Sequence, residues 1–198
     1  MAKALSDLRM TVAEFVQWPG DGTDRRHELV DGRPVAKELA SGRHAEIAAN
    51  VLRALDARVG RPYHALFGGG VASDLEADEC RLPDVFVTCE PMPEHIFTDV
   101  RVVVEVLSPS TEKDDRTVKL DFYQTLPEME AVVLVWQDKS RVQLHTRGEA
   151  GWPSLDYTGS AVVPLAGLGV ELPLDEVYAG VEFPPPPPTR KRRPAPRD

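Results

Sequence analysis

Asp84 and Glu105 are the residues of this sequence best suited to chemistry. Asp84 opens the β-rich run Asp84-Val-Phe-Val-Thr-Cys89, and Glu105 lies inside Val100-Arg-Val-Val-Val-Glu-Val-Leu107. A glutamate within such an apolar stretch is costly unless it is paired, hydrogen-bonded or bound to metal. Each has a structural alternative: an ion-pair member for Glu105, a turn or cap residue for Asp84. Two neighbouring strands, however, would bring both carboxylates to one sheet edge. Hard oxygen ligands of this kind suit Mg²⁺ or Mn²⁺, with waters and a substrate phosphate filling the remaining positions. The metal would activate water and neutralise charge on the phosphorane-like transition state.

Other side chains extend this pair. In the helix expected over residues 115–126, Asp115, Val118, Lys119, Phe122 and Leu126 share a broad face, and Lys119 borders its apolar side. Lys119 is either a snorkelling surface lysine or an ammonium reaching the metal cleft, where it positions water or stabilises charge. Glu28, in His27-Glu-Leu-Val30, either faces solvent or adds a further carboxylate. His44 heads the apolar stripe Ile47, Val51 and Leu55. It is either a satisfied core histidine or a cleft residue contacting phosphate or Glu28. After Glu105 come Ser108-Pro-Ser-Thr111. The proline stops the strand, and the hydroxyls cap the next segment. A secondary role as phosphate contacts makes Ser108 and Ser110 substrate-binding candidates.

The elements that must position these groups are legible from pattern. Thr11-Val-Ala-Glu14 is a capping box opening a first helix, which Pro19-Gly-Asp-Gly22 stops. His27–Val30 and Arg33–Leu39 flank the hairpin signal Asp31-Gly32. Residues 43–58 form a second helix. Tyr63–Val71 reads as a strand interrupted by Gly68-Gly-Gly70, which suits a bulge or a close backbone approach better than a phosphate loop. Asp84–Cys89, Val100–Leu107, Ala131–Trp136 and Arg141–Thr146 are further strands, and a short helix lies around Leu174–Tyr178. Helices interleaved with a mixed central sheet make an α/β or α+β domain over residues 1–183. From Pro184 onward, five consecutive prolines and a basic cluster read as a disordered tail over 184–198.

Composition bounds the rest. The 198 residues are 42% hydrophobic, an ordinary globular mixture. No apolar run approaches a membrane helix, and the polar N-terminus lacks a secretory h-region. The expected location is therefore cytoplasmic, with no membrane partner. Cys80 and Cys89 are too far apart in sequence for a CxxC pair and are expected to be free thiols. The net charge is −9, and the tail holds five of the 23 basic residues and one of the 32 acidic ones. The body, with 18 basic and 31 acidic residues, is thus near −13. A nucleic-acid binder usually shows the opposite balance, so a bound divalent metal and a local basic patch would have to offset it.

Taken together, Arg26-His-Glu-Leu-Val-Asp-Gly32, His44 opening a helix, Pro83-Asp-Val85, Val104-Glu-Val-Leu-Ser-Pro-Ser-Thr111 and Lys119-Leu-x-x-Tyr123 resemble the Uma family of restriction endonucleases, in the PD-(D/E)XK nuclease superfamily. The resemblance continues through Leu126-Pro127, Val133-Leu-Val135, Trp152 and Leu172-Pro-Leu174, covering roughly residues 11–183. It implies a restriction-endonuclease-like core, a mixed sheet flanked by helices. It also implies Asp84 and Glu105 as metal ligands, Glu28 as the upstream acidic residue, and Lys119 as the lysine moved from strand to following helix. The superfamily's usual strand lysine would fall at Leu107. Asp114 and His27 stand where the pattern leads one to expect tyrosine, which bears on local packing.

The leading expectation is a metal-dependent endonuclease that hydrolyses nucleic-acid phosphodiester bonds, with DNA as substrate and Mg²⁺ or Mn²⁺ as cofactor. The alternative is a non-catalytic module on the same fold, binding nucleic acid or a partner protein. A third is a scaffold whose proline-rich tail recruits an adaptor domain. The abundance of apolar strands also suggests a homodimer.

Overall fold

A computed structural model describes residues 8–89, 91–108 and 115–184. Thr11 caps helix α1 (Val12–Gln17), and Glu14 returns a bond to the Thr11 N–H, so the capping box closes. The hairpin β1 (His27–Val30) and β2 (Arg33–Ala36) turns at Asp31 and Gly32, with φ of 48° and 72°. Those positive values are what a two-residue Asp-Gly turn needs. Ser41 caps α2 (Gly42–Asp56), which buries Ile47, Val51, Ala54 and Leu55. There follow β3 (Tyr63–Leu66), β4 (Gly70–Val71), β5 (Val85–Cys89), β6 (Ile96–Phe97) and β7 (Val100–Leu107). A π-helical turn (Asp115–Lys119) runs into α3 (Leu120–Thr125). The chain continues through β8 (Ala131–Trp136), β9 (Arg141–Thr146), β10 (Ser154–Thr158), β11 (Val162–Leu165) and β12 (Val170–Pro173) to α4 (Leu174–Val177).

Six strands form the central sheet in the order β10-β9-β8-β7-β5-β3. Only β7 and β8 run parallel within it; the other neighbours are antiparallel. The sheet is therefore mixed, as the sequence pattern requires. Its middle strands are apolar on both faces because both faces are covered. One face carries Val102, Val104, Val106, Val133 and Val135 against α2, β12 and α4. The other carries Val103, Leu107, Leu134 and Trp136 against Leu120, Phe122 and Tyr123 of α3. The five valines of β7 are at most 1% exposed. At about 1.5–3 kcal/mol each, their burial is large enough to carry Glu105, 2% exposed, in the same strand.

Four expectations need correction. The stretch 63–71 is not one strand: β3 pairs with β5, whereas β4 leaves the sheet and pairs with β6. A Cβ on Gly69 would meet the Phe97 ring at 2.4 Å, so the glycines serve a close approach of backbone to side chain. β2 stops at Ala36, three residues early, and the chain then turns toward α2. The helix at 115–126 opens as a π turn, so the expected face is rotated: Val118 is 51% exposed and Lys119 is buried. Finally, the apolar strands are hidden by the chain's own elements, so they no longer argue for a second copy.

The strands β6, β10, β11 and β12 were not foreseen; Ser154-Leu-Asp-Tyr-Thr158 does alternate polar and apolar residues, but it is short and largely exposed. His27, in place of tyrosine, packs edge-on against Trp18. Asp114, Ser110 and the tail beyond Pro184 lie outside the described residues. Cys80 and Cys89 are both free thiols. Among the described residues no helix is long and apolar enough to cross a membrane.

Candidate active-site cleft

Pro83 and Asp84 end the ladder between β5 and β7. The last pair in register is Val85 with Val104, and Asp84 and Glu105 are the next residues of the two segments beyond it. Beyond that point β7 runs on without β5 beside it, and the Val106 N–H donates to Asp84 Oδ2 at 2.9 Å. A side chain thus replaces the missing strand and is oriented by backbone.

Asp84 collects two more donors. Lys37 Nζ lies 3.2 Å from Oδ1 and His44 Nε2 lies 3.0 Å from Oδ2. Burial opposes ionisation of Asp84. The His44 hydrogen bond, the Lys37 ammonium, the His44 charge and the Val106 amide outweigh it and hold the carboxyl well below the usual carboxylate range.

Glu105 points to the α3 face of the sheet. Its Oε1 accepts from the Tyr123 hydroxyl at 2.6 Å and lies 3.4 Å from Lys119 Nζ. Burial and then the Glu105 charge push the Tyr123 hydroxyl well above its usual range, so it remains a neutral donor. Lys119 Nζ also lies 3.6 Å from Glu28 Oε1. Glu28 in turn accepts from the Leu82 N–H at 3.1 Å and faces Arg81 at 3.5 Å. Burial weakens the Arg81 charge, but the Glu79 hydrogen bond and charge, with Glu28, raise its pKa above the ordinary value.

These groups line one cleft of about 620 Å³, walled by the β1–β2 hairpin, the start of α2, the ends of β5 and β7, and the turn before α3. Glu28, His44, Asp84, Glu105, Ser108 and Lys119 all line it. Six of the seven candidate residues are therefore brought together; Ser110 lies outside the described residues. His44 is a cleft residue, but its partner is Asp84 in place of the expected Glu28. Lys119 is not a snorkelling surface residue: it is 9% exposed. Glu28 does not face solvent, being 6% exposed.

Sequence reasoning missed Lys37, Arg81 and Tyr123. Tyr123 follows Lys119 by four residues and so shares its side of a helix, a signal that was present. Lys37 and Arg81 carried none, because their place depends on how the hairpin folds back on the strand start.

The donor chemistry fits a small hard cation. Asp84 and Glu105 both present carboxylate oxygens to the cleft. Among the described residues no group of three or more His, Cys, Asp and Glu side chains is gathered as a metal nest.

Comparison with known proteins bears on the family and the fold. The chain is 29% identical over 191 residues to the uncharacterized protein slr1290 of Synechocystis sp., covering 88% of this chain and 94% of that one. A second Synechocystis protein, the uncharacterized sll1609, is 28% identical over 164 residues, covering 76% of this chain and 88% of that one. A solved structure from Anabaena variabilis, titled as "a putative nuclease belonging to DUF820", superposes with a TM-score of 0.67 over 85% of this chain and 97% of that one. At 18% identity it shows the shared fold. A family model described as "Putative restriction endonuclease" matches residues 12–175, well over half of the sequence, and the chain thus belongs to the Uma2 family.

Proposed function

We propose that this protein is a metal-dependent endonuclease that hydrolyses phosphodiester bonds of nucleic acid, DNA in the first instance. The observation that carries the reading is the convergence of Asp84, Glu105, Lys119 and Glu28 in one cleft, at the point where β5 leaves β7. Family membership supports it. Asp84 and Glu105 hold Mg²⁺ or Mn²⁺, which when bound supplies Lewis acidity toward the phosphate and an activated water.

The chain's own residues do the rest. Val106 and His44 orient Asp84. Tyr123 fixes Glu105 by a short hydrogen bond. Glu28 holds Lys119, whose ammonium lies at the cleft wall and stabilises negative charge developing on the phosphate. Ser108, directly after β7 at the cleft, contacts the flanking phosphate.

The test is cleavage of supercoiled, linear and single-stranded DNA in Mg²⁺ or Mn²⁺. Wild type cleaves, and Asp84→Asn and Glu105→Gln each lose about 100-fold or more. Equal cleavage by either variant, with its melting temperature showing a retained fold, refutes the assignment.

One observation favours a second reading, a non-catalytic binding module. Asp84 already has two cationic neighbours and Glu105 already has Lys119 and Tyr123. For such a module, calorimetry with Mn²⁺ gives no heat of binding that depends on Glu105.

A further inference from the structure

We propose that Lys37 is an exchangeable counter-ion: it neutralises Asp84 until a divalent cation binds, and then turns to the phosphate of the nucleic acid. The proposal rests on the metal site assigned above, and it adds a substrate contact that the sequence does not reveal.

The two oxygens of Asp84 are held in different ways. Oδ2 accepts from the Val106 amide and from His44. The first is backbone of the central sheet and cannot move without breaking β7. The second stands on a capped helix. Oδ1 is held by Lys37, the end of a flexible four-carbon stem. A cation that binds Asp84 with least disturbance therefore takes Oδ1, and like charges cannot both stay there. Lys37 is the group that moves.

Its surroundings allow this. The Lys37 side chain is 25% exposed against 9% for Asp84, so its tip opens to the cleft. The Lys37 N–H is bonded to the Arg26 carbonyl, so the backbone stays in place while the side chain swings. Leaving Asp84 also means leaving the Leu82 carbonyl, which Nζ meets at 2.5 Å. An ammonium that leaves both acceptors is drawn to a new anion, and the substrate phosphate is the one the cleft receives. Lys119 is less suited to exchange: its side chain is 11% exposed and it lies between two carboxylates, Glu28 and Glu105. The cleft thus carries one fixed lysine and one transferable lysine.

The proposal predicts effects of opposite sign, which a merely structural lysine does not produce. Lys37→Met keeps the apolar stem and removes the charge. With the full chain and no nucleic acid, calorimetry should show Mn²⁺ binding about threefold or more tighter than wild type, as a competing charge is gone. Fluorescence anisotropy with labelled DNA, duplex and single-stranded, in Ca²⁺ should show binding about threefold or more weaker, as a phosphate contact is lost. Lys37→Arg retains the charge and should bind Mn²⁺ within about twofold of wild type. Unchanged or weaker Mn²⁺ binding by Lys37→Met overturns the exchange, and so does an arginine variant that behaves like the methionine one. So does wild type that binds neither DNA, or DNA binding that Lys37→Met leaves unchanged. If wild type takes up no Mn²⁺ that Asp84→Asn abolishes, the metal site itself fails, and the exchange with it.

Discussion

At Glu105, burial dictates the chemistry of the neighbours. A carboxylate 2% exposed in a valine strand needs donors, and Tyr123 and Lys119 supply them from the same helical segment. Tyr123→Phe removes a hydrogen bond to a buried charge and should cost about 1.5–3 kcal/mol, measured by chemical denaturation. Asp84 adds a pH dependence. Its carboxyl is depressed in the folded state, so the stability it contributes is complete above the unfolded value of about 3.9 and is lost as pH falls toward the folded value. The difference in melting temperature between wild type and Asp84→Asn should accordingly hold from pH 7 to about pH 4 and narrow below it. A constant difference would mean that the Lys37 and His44 pairings contribute no net stability. At this scale the sequence was informative about the oddity of each residue and silent about its partners. An ionisable group in an apolar run stands out locally, but what satisfies it arrives from elsewhere in the chain.

Among the elements, the β1–β2 hairpin matters most to the site. It is not part of the six-stranded sheet, yet Glu28 comes from β1 and Lys37 follows β2 directly. Its turn depends on Gly32, at φ 72°, where a Cβ would also approach the Met10 carbonyl at 3.3 Å. Gly32→Ala should destabilise the protein by about 1 kcal/mol or more, read as a lower melting temperature, and should weaken Mn²⁺ binding through displacement of the hairpin. The Asp-Gly turn was readable in advance, because it is a two-residue signal. The π turn before α3 was not. Residues 115–126 have an acceptable regular helical face, and the inward rotation of Lys119 past Val118 is decided by what the helix packs against.

For the whole molecule, charge is the governing quantity. A body near −13 repels nucleic acid, and the five basic residues from Arg190 to Arg197 are its counterweight. Pro184, where that segment begins, lines the cleft. Truncation after Phe183 should therefore weaken DNA binding about tenfold or more at low salt and flatten its salt dependence, with little change in melting temperature. Anisotropy titrations over a salt series check this, and an unchanged slope assigns the tail another role. By itself, the sequence determined the central apolar strands, the hairpin turn, the capping box of α1 and the identity of the unusual carboxylates. These follow from short-range rules: side-chain period, turn chemistry and the cost of a charge in an apolar run. Only the tertiary structure decided that Asp84 and Glu105 line one cleft, that Lys119 lies between two glutamates, and that Lys37 and His44 hold Asp84. Those pairings join residues up to 91 positions apart, Glu28 to Lys119. They are set by sheet register and by packing across the cleft, which no local pattern encodes.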